Sequence, residues 1–200
     1  MKKLIWILFM MLLSTLDANE KTILFLGDSL TEGLGVSKEE AYPTLVQELI
    51  AKKLNQKVTI INGGVSGSTT SDGLARLKWY LKRQPSIIFI ALGANDGLRG
   101  HDLNKSQKNL ETIIQHAKDS GAKVLLAGML VPPNYGDEYA NQFKSMYETL
   151  QKKYQLKALP FLLEGIAGKK EYNQADGIHP NAKGHKLMAQ KVFEFIKEEL

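Results

Sequence analysis

Phe25-Leu26-Gly27-Asp28-Ser29-Leu30-Thr31 carries an apolar run into a polar turn. The apolar or β-branched residues 22–26 predict a buried strand. Gly27 stops it, and Asp28 and Ser29 follow at its carboxyl end. In open α/β sheets that edge is where ligands bind. A serine held there by a tight turn is exposed and placed for attack. Taken alone, Asp28-Ser29 reads equally well as the cap of a turn or helix, so the decision rests with the rest of the chain.

Working outward, residues 31–40 read as a loop holding Gly33 and Gly35, and residues 42–54 as a helix with Pro43 in its first turn. A second strand is expected over 57–62. The polar stretch Asn62-Gly63-Gly64-Val65-Ser66-Gly67-Ser68-Thr69-Thr70 follows it. The helix over 71–83 places Leu74, Leu77 and Leu81 at helical spacing. Residues 86–92 form a very apolar third strand, ended by Gly93-Ala94-Asn95-Asp96-Gly97. Helices over 105–119, 138–154 and 180–199 alternate with strands over 123–129 and 156–159, and residues 165–176 are irregular. Strands alternating with helices predict an α/β fold, a parallel sheet with helices on both faces. No repeat, linker or low-complexity run divides it, so residues 19–200 read as one domain.

The N-terminus reads differently. Lys2 and Lys3 precede an uninterrupted apolar run, Leu4 to Leu13, too short to span a bilayer comfortably. Residues 1–18 therefore read as a secretory signal, cleaved at Leu16-Asp17-Ala18 or retained as an uncleaved anchor. Leu16 is larger than such a site favours. The expected location is the periplasm or outside the cell.

Composition narrows the chemistry. The 200 residues hold no cysteine, which excludes a disulfide, a thiol nucleophile and a zinc–thiolate site. Four histidines, none spaced His-x-x-x-His, argue against a metal centre. The net charge of +5 is spread along the chain, which argues against nucleic-acid binding. No metal or cofactor is expected.

Three strand ends carry polar loops, with Ser29 after the first, Gly67 after the second and Asn95 after the third. The carboxyl-edge rule places all three at one face. The fourth piece is Asp176-Gly177-Ile178-His179-Pro180. Asp and His three apart on a turn can meet. Asp176 would then accept from Nδ1–H of His179 and leave Nε2 as the base for Ser29. Serine is a poor nucleophile near neutral pH without such a base. The N–H groups of Ser29 and Gly67 and the Asn95 amide are candidate donors to a tetrahedral oxyanion. Each piece has a plainer reading. The Asp-x-x-His segment can be helix capping, the Gly63–Gly67 stretch a turn or anion nest, and Asn95-Asp96-Gly97 a turn. The glycine stretch lacks the Lys-Ser/Thr ending of a P-loop. Four pieces in this order, three at consecutive strand ends, favour the catalytic reading. His101, His116 and His185 lie in polar surroundings and read as surface residues.

On these residues the chain resembles the GDSL, or SGNH, hydrolases. Gly27-Asp28-Ser29-Leu30, the Gly67 segment, Gly93-Ala94-Asn95-Asp96 and Asp176-Gly177-Ile178-His179-Pro180 look like that family's four blocks. Asn62 with Val65-Ser66-Gly67, Gly73-Leu74-Ala75-Arg76-Leu77, Asn95-Asp96-Gly97-Leu98-Arg99-Gly100 and Pro133-Asn134-Tyr135-Gly136 are similar to its bacterial thioesterase I/lysophospholipase/arylesterase subgroup. The resemblance implies a five-stranded flavodoxin-like sheet of order 2-1-3-4-5. It also implies Ser29 as nucleophile, His179 as base, Asp176 as its orienting partner, and an oxyanion hole from Ser29, Gly67 and Asn95. Gly63-Gly64, Ser68 and Ala94 depart from the usual pattern. Thr31 stands where an α/β-hydrolase elbow would have its last glycine.

The expected activity is hydrolysis of esters and thioesters with small-to-medium acyl chains through an acyl-serine intermediate. The partner is then a small-molecule acyl substrate, with transient contact to membrane lipids. Apolar loop residues beside the site, among them Leu98, Val131, Pro132, Tyr135 and Ile178, either line an acyl groove or seal the sheet edge. The alternatives are a carbohydrate O-acetylesterase on the same fold and a non-catalytic lipid- or phosphate-binding protein.

Overall fold

A computed structural model describes residues 20–200. The expected signal segment lies outside the described residues. Five strands, β1 (Lys21–Gly27), β2 (Val58–Gly64), β3 (Ile87–Ala91), β4 (Lys123–Ala127) and β5 (Lys157–Leu159), form one parallel sheet in the order β2-β1-β3-β4-β5. This is the order that the resemblance implies. All five residues of β3 are buried, as a strand with neighbours on both edges and helices on both faces requires.

Seven α-helices are described: α1 (Ser29–Glu32), α2 (Tyr42–Leu54), α3 (Thr70–Leu81), α4 (Ala94–Leu98), α5 (Leu103–Asp119), α6 (Asp137–Tyr154) and α7 (Ala182–Ile196). α2 packs on α7, while α3 packs on α5 and α5 on α6. The two-residue period of the strands sends alternate side chains to these two layers. Phe25 meets Tyr42 of α2 edge-on at 5.5 Å, and Phe89 meets Phe195 of α7 at 6.2 Å. Leu24 faces the other way. A Cβ on Gly63 would lie 3.0 Å from both Leu24 and Tyr80 of α3, so glycine sets how closely that helix approaches. In α5 the buried apolar residues Leu110, Ile113, Ile114 and Ala117 fall at helical spacing on one face.

Two expectations change. The predicted loop over 31–40 begins inside α1, and Asn95-Asp96-Gly97, whose plainer reading is a turn, lies in the short helix α4. His185 is not a surface residue: it is only 1% exposed. It shares the buried stripe of α7 with Met188, Ala189 and Val192. The polar residues around it in sequence sit on the helix's other side. His101 is half-exposed and His116 partly buried. No described helix is long and apolar enough to cross a membrane.

Candidate active site

β1 turns into α1 with nothing between them but Asp28, the N-cap. Asp28 Oδ1 accepts the N–H of Leu30 at 3.0 Å and so fixes the first turn. A Cβ on Gly27 would lie 2.0 Å from Thr31 Oγ1, so only glycine lets the chain fold back this sharply. Gly64, at the end of β2, meets α1 in the same way. Its Cβ would lie 2.1 Å from the Glu32 nitrogen. These contacts account for glycine at two positions of the turn and its support. Ser29 is the first residue of α1, so its N–H has no partner within the helix. It is 8% exposed.

Ser29 Oγ lies 3.0 Å from His179 Nε2, and His179 Nδ1 lies 2.7 Å from Asp176 Oδ2. Asp176 Oδ1 also accepts the backbone N–H groups of Ile178 and His179, each at 3.0 Å. The His179 N–H and ring, followed by the Ile178 N–H, hold the Asp176 carboxyl down at about 2. It is therefore ionised, which places a proton on Nδ1 and leaves Nε2 to accept from the Ser29 hydroxyl. The loop bearing this pair has no strand to hold it. Gln174 does so instead, donating through Nε2 to the carbonyls of Leu34 and Pro180 at 2.6 and 3.0 Å and through its backbone N–H to His179 at 2.8 Å.

The expected oxyanion donors come from two tied loops. Asn95 Nδ2 donates to the Ser68 carbonyl at 2.9 Å. One amide hydrogen remains for the cleft that Asn95 lines. Gly67 takes a left-handed φ of 75°, and its N–H donates to no group among the described residues. Arg76 fastens this loop to the sheet. Its Nη1 donates to the carbonyls of Gly27 and Gly63 at 2.8 and 3.0 Å, and its Nη2 to Ser68 Oγ. Asp96 fastens the other loop, accepting from Thr70 N–H at 2.9 Å, Thr70 Oγ1 at 2.7 Å and Ser106 Oγ at 2.8 Å. Both carboxylate oxygens of Asp96 are thereby satisfied inside the protein.

A cleft of about 530 Å³ opens over Ser29 and His179. Leu98, Val131, Pro132 and Ile178 line it, together with Met129 and Leu130. Tyr135 does not line it. Its hydroxyl donates to the Leu98 carbonyl at 2.7 Å, bracing the wall from outside. Phe161, Leu163 and Ala167 complete the lining from the segment after β5. That segment has no periodicity that would have pointed to them.

Four contributors escape a reading based on reactive side chains. Arg76, Asp96 and Gln174 touch no reacting atom, and their partners are mostly backbone groups remote in sequence. The fourth is Asp28, whose Oδ2 is buried without a partner. Burial pushes its carboxyl up to about 6, against the opposing effects of the Leu30 N–H and of the His179 and Arg76 charges.

Comparison with known proteins bears on family and fold. The family model described as the GDSL-like lipase/acylhydrolase family matches residues 25–187. An arylesterase of Vibrio mimicus is 40% identical over 195 residues, covering 97% of this chain and 94% of that protein. The thioesterase 1/protease 1/lysophospholipase L1 of Escherichia coli is 38% identical over 183 residues, covering 91% and 86% respectively. Among solved structures, the psychrotrophic esterase EstA from a Pseudoalteromonas species, inhibited by monoethylphosphonate, superposes with a TM-score of 0.85 at 33% identity. That match covers 90% of this chain and 98% of the other. Fold, block order and matches along nearly the whole chain lead to one conclusion: the chain belongs to the GDSL-like lipase/acylhydrolase family.

Proposed function

We propose that this chain is a serine esterase and thioesterase that works through an acyl-Ser29 intermediate. The observation that carries the reading is the hydrogen-bonded series Ser29 Oγ, His179 Nε2, His179 Nδ1 and Asp176 Oδ2, set at the floor of an apolar cleft. The names of the relatives, arylesterase and thioesterase/lysophospholipase, support the same chemistry.

Ser29 Oγ attacks the substrate carbonyl carbon as its proton passes to His179 Nε2. Negative charge collects on the carbonyl oxygen, where the N–H groups of Ser29 and Gly67 and the Asn95 amide receive it. The imidazolium, facing ionised Asp176, then gives its proton to the departing alcohol or thiol. Water attacks the acyl-serine by the same route and regenerates the hydroxyl. The acyl chain lies along Leu98, Val131, Pro132 and Ile178. None of these steps uses a metal or cofactor. Lys2 and Lys3 before the apolar run Leu4 to Leu13 support an exported enzyme, acting in the periplasm or beyond the cell.

The test is incubation with a fluorophosphonate followed by peptide mass spectrometry. An adduct on Ser29, absent from Ser29→Ala, is the expected result. Labelling elsewhere with Ser29 unmodified would overturn the assignment.

A further inference from the structure

The large apolar side chains exposed to solvent are not scattered. Five stand out among the described residues: Leu34 at 43%, Val65 at 45%, Trp79 at 60%, Leu130 at 42% and Ile178 at 44%. Four of them adjoin the turn that carries Ser29 or the cleft above it. Leu130 and Ile178 line the mouth of the cleft. The Leu34 N–H donates to the Ser29 carbonyl at 3.1 Å, and the Val65 N–H to the Gly27 carbonyl at 3.3 Å. Trp79, within α3, is the exception, lying against Tyr80 instead. Single exposed apolar residues need no explanation, but a group gathered on one edge does.

The charges beside this rim are unequal. Arg99 lies next to Asn95, its Nη2 3.4 Å from Asn95 Oδ1. Lys169 and Lys170 follow Gly168, which lines the cleft. All three cations are exposed and enter no ion pair among the described residues. Two nearby acids are already engaged, Glu32 by the Ser66 N–H and hydroxyl and Asp176 by His179. Glu171 is the acid that adjoins the lysines. Apolar side chains rimmed by cations match the boundary of an anionic lipid layer, where acyl chains lie just below negative headgroups.

We propose that the rim of Leu34, Val65, Leu130 and Ile178 seats the mouth of the cleft on an anionic lipid surface, with Arg99, Lys169 and Lys170 facing the headgroups. This rests on the esterase reading above, because the rim matters only if acyl chains enter there. Substrate then reaches Ser29 from the lipid layer without crossing water.

The experiment uses the full chain, so that any contribution of the N-terminal apolar run is common to every variant. A long-chain acyl ester is presented in vesicles of phosphatidylcholine, or of phosphatidylcholine with about a quarter phosphatidylglycerol. Each rate is divided by the rate on soluble p-nitrophenyl butyrate. Leu34→Ser/Val65→Ser should lower the ratio on phosphatidylglycerol vesicles about tenfold and leave the soluble rate within about twofold. Lys169→Glu/Lys170→Glu should lower it on phosphatidylglycerol vesicles and leave phosphatidylcholine alone unaffected. Trp79→Ser should change neither ratio. An unchanged vesicle rate in the Leu34/Val65 variant overturns the proposal. So does an equal loss in Trp79→Ser, or a charge-reversal effect that ignores lipid charge. Should the Leu34/Val65 variant lose its soluble rate through misfolding, the lysine pair and Trp79→Ser decide alone. Ser29 labelling by fluorophosphonate separates failure of this proposal from failure of the esterase reading.

Discussion

Asn95 Nδ2 reaches the Ser68 carbonyl at 2.9 Å and so joins the loop after β3 to the loop after β2. One amide hydrogen holds the loops together, and the other is left for the oxyanion contact proposed above. Asn95→Ala should therefore lower kcat by about 10²–10³ with little change in KM, the usual cost of one oxyanion donor. Steady-state kinetics on the purified variant, set beside its thermal melt, is the check. A lower melting point with normal kcat per folded molecule would reduce Asn95 to a structural tie.

The Asp176 carboxyl, held down at about 2, stays ionised through the range of a pH–rate profile. It cannot supply the acid limb of a pH–rate profile. Its charge acts instead through the His179 ring, whose Nδ1 proton it holds. Asp176→Asn keeps the size of the side chain and loses the charge that sets the tautomer. By analogy with serine proteases it should cost on the order of 10⁴ in kcat. Near-wild-type kcat in the purified, folded variant would overturn the orienting role of Asp176.

Two buried groups should give stability opposing pH dependences. Asp28 ionises at 3.8 when unfolded and at about 6 in the fold. Between those values the folded state holds the extra proton, so stability falls as pH rises, by about 3 kcal/mol in all. His185 is the reverse. Burial pushes it from 6.5 down to about 4, with its Nδ1 accepting the Tyr42 N–H at 3.3 Å. Its contribution is present above pH 6.5 and is lost as pH falls toward 4. Asp28→Asn, which can still accept from Leu30, should gain on wild type between about pH 4 and 7. His185→Gln should lose less than wild type on acidification over the same range. Urea unfolding at several pH values measures both. Parallel wild-type and mutant curves would refute them.

The strands themselves are legible in the sequence because they rest on local grammar, whereas their order in the sheet is what the family resemblance implies. Apolar runs such as residues 86–92 announce buried strands, and Asp176 lies close enough to His179 in the chain to be paired by eye. What stayed hidden depends on contacts that no local spacing encodes. Arg76 works through the carbonyls of Gly27 and Gly63, which any residue type would provide. His185 was masked by Lys183 and Lys186 beside it, although its spacing to Met188 and Val192 places it on their stripe. Tyr135, aromatic and near, reads as groove lining or as a seal of the sheet edge. Its hydroxyl donates to the Leu98 carbonyl, and it does not line the cleft.

The cleft's apolar lining makes acyl length a direct readout. Each methylene buried along Leu98, Val131 and Ile178 should contribute roughly 0.8 kcal/mol, or about fourfold in kcat/KM. The series of p-nitrophenyl esters should therefore rise from acetyl to about hexanoyl or octanoyl and then level off as the cleft of about 530 Å³ fills. Measured below any micelle concentration, a maximum at acetyl with a steep fall by butyryl would favour the carbohydrate O-acetylesterase alternative.

The proposed nucleophile and oxyanion donors hang from three adjacent strands, whereas the proposed base hangs from a loop outside the sheet, fastened by one isolated bridge and the side chains of Asn173, Gln174 and Asn181. The two halves of the catalytic machinery therefore belong to different tiers of local stability. On warming, the loop that carries His179 should open while β2, β1 and β3 remain paired, so that inactivation runs ahead of melting. Amide hydrogen exchange would register this order, with early exchange at Gln174 and Gly177 and late exchange across β3. An enzyme assembled this way can lose its proton shuttle and recover it without unfolding.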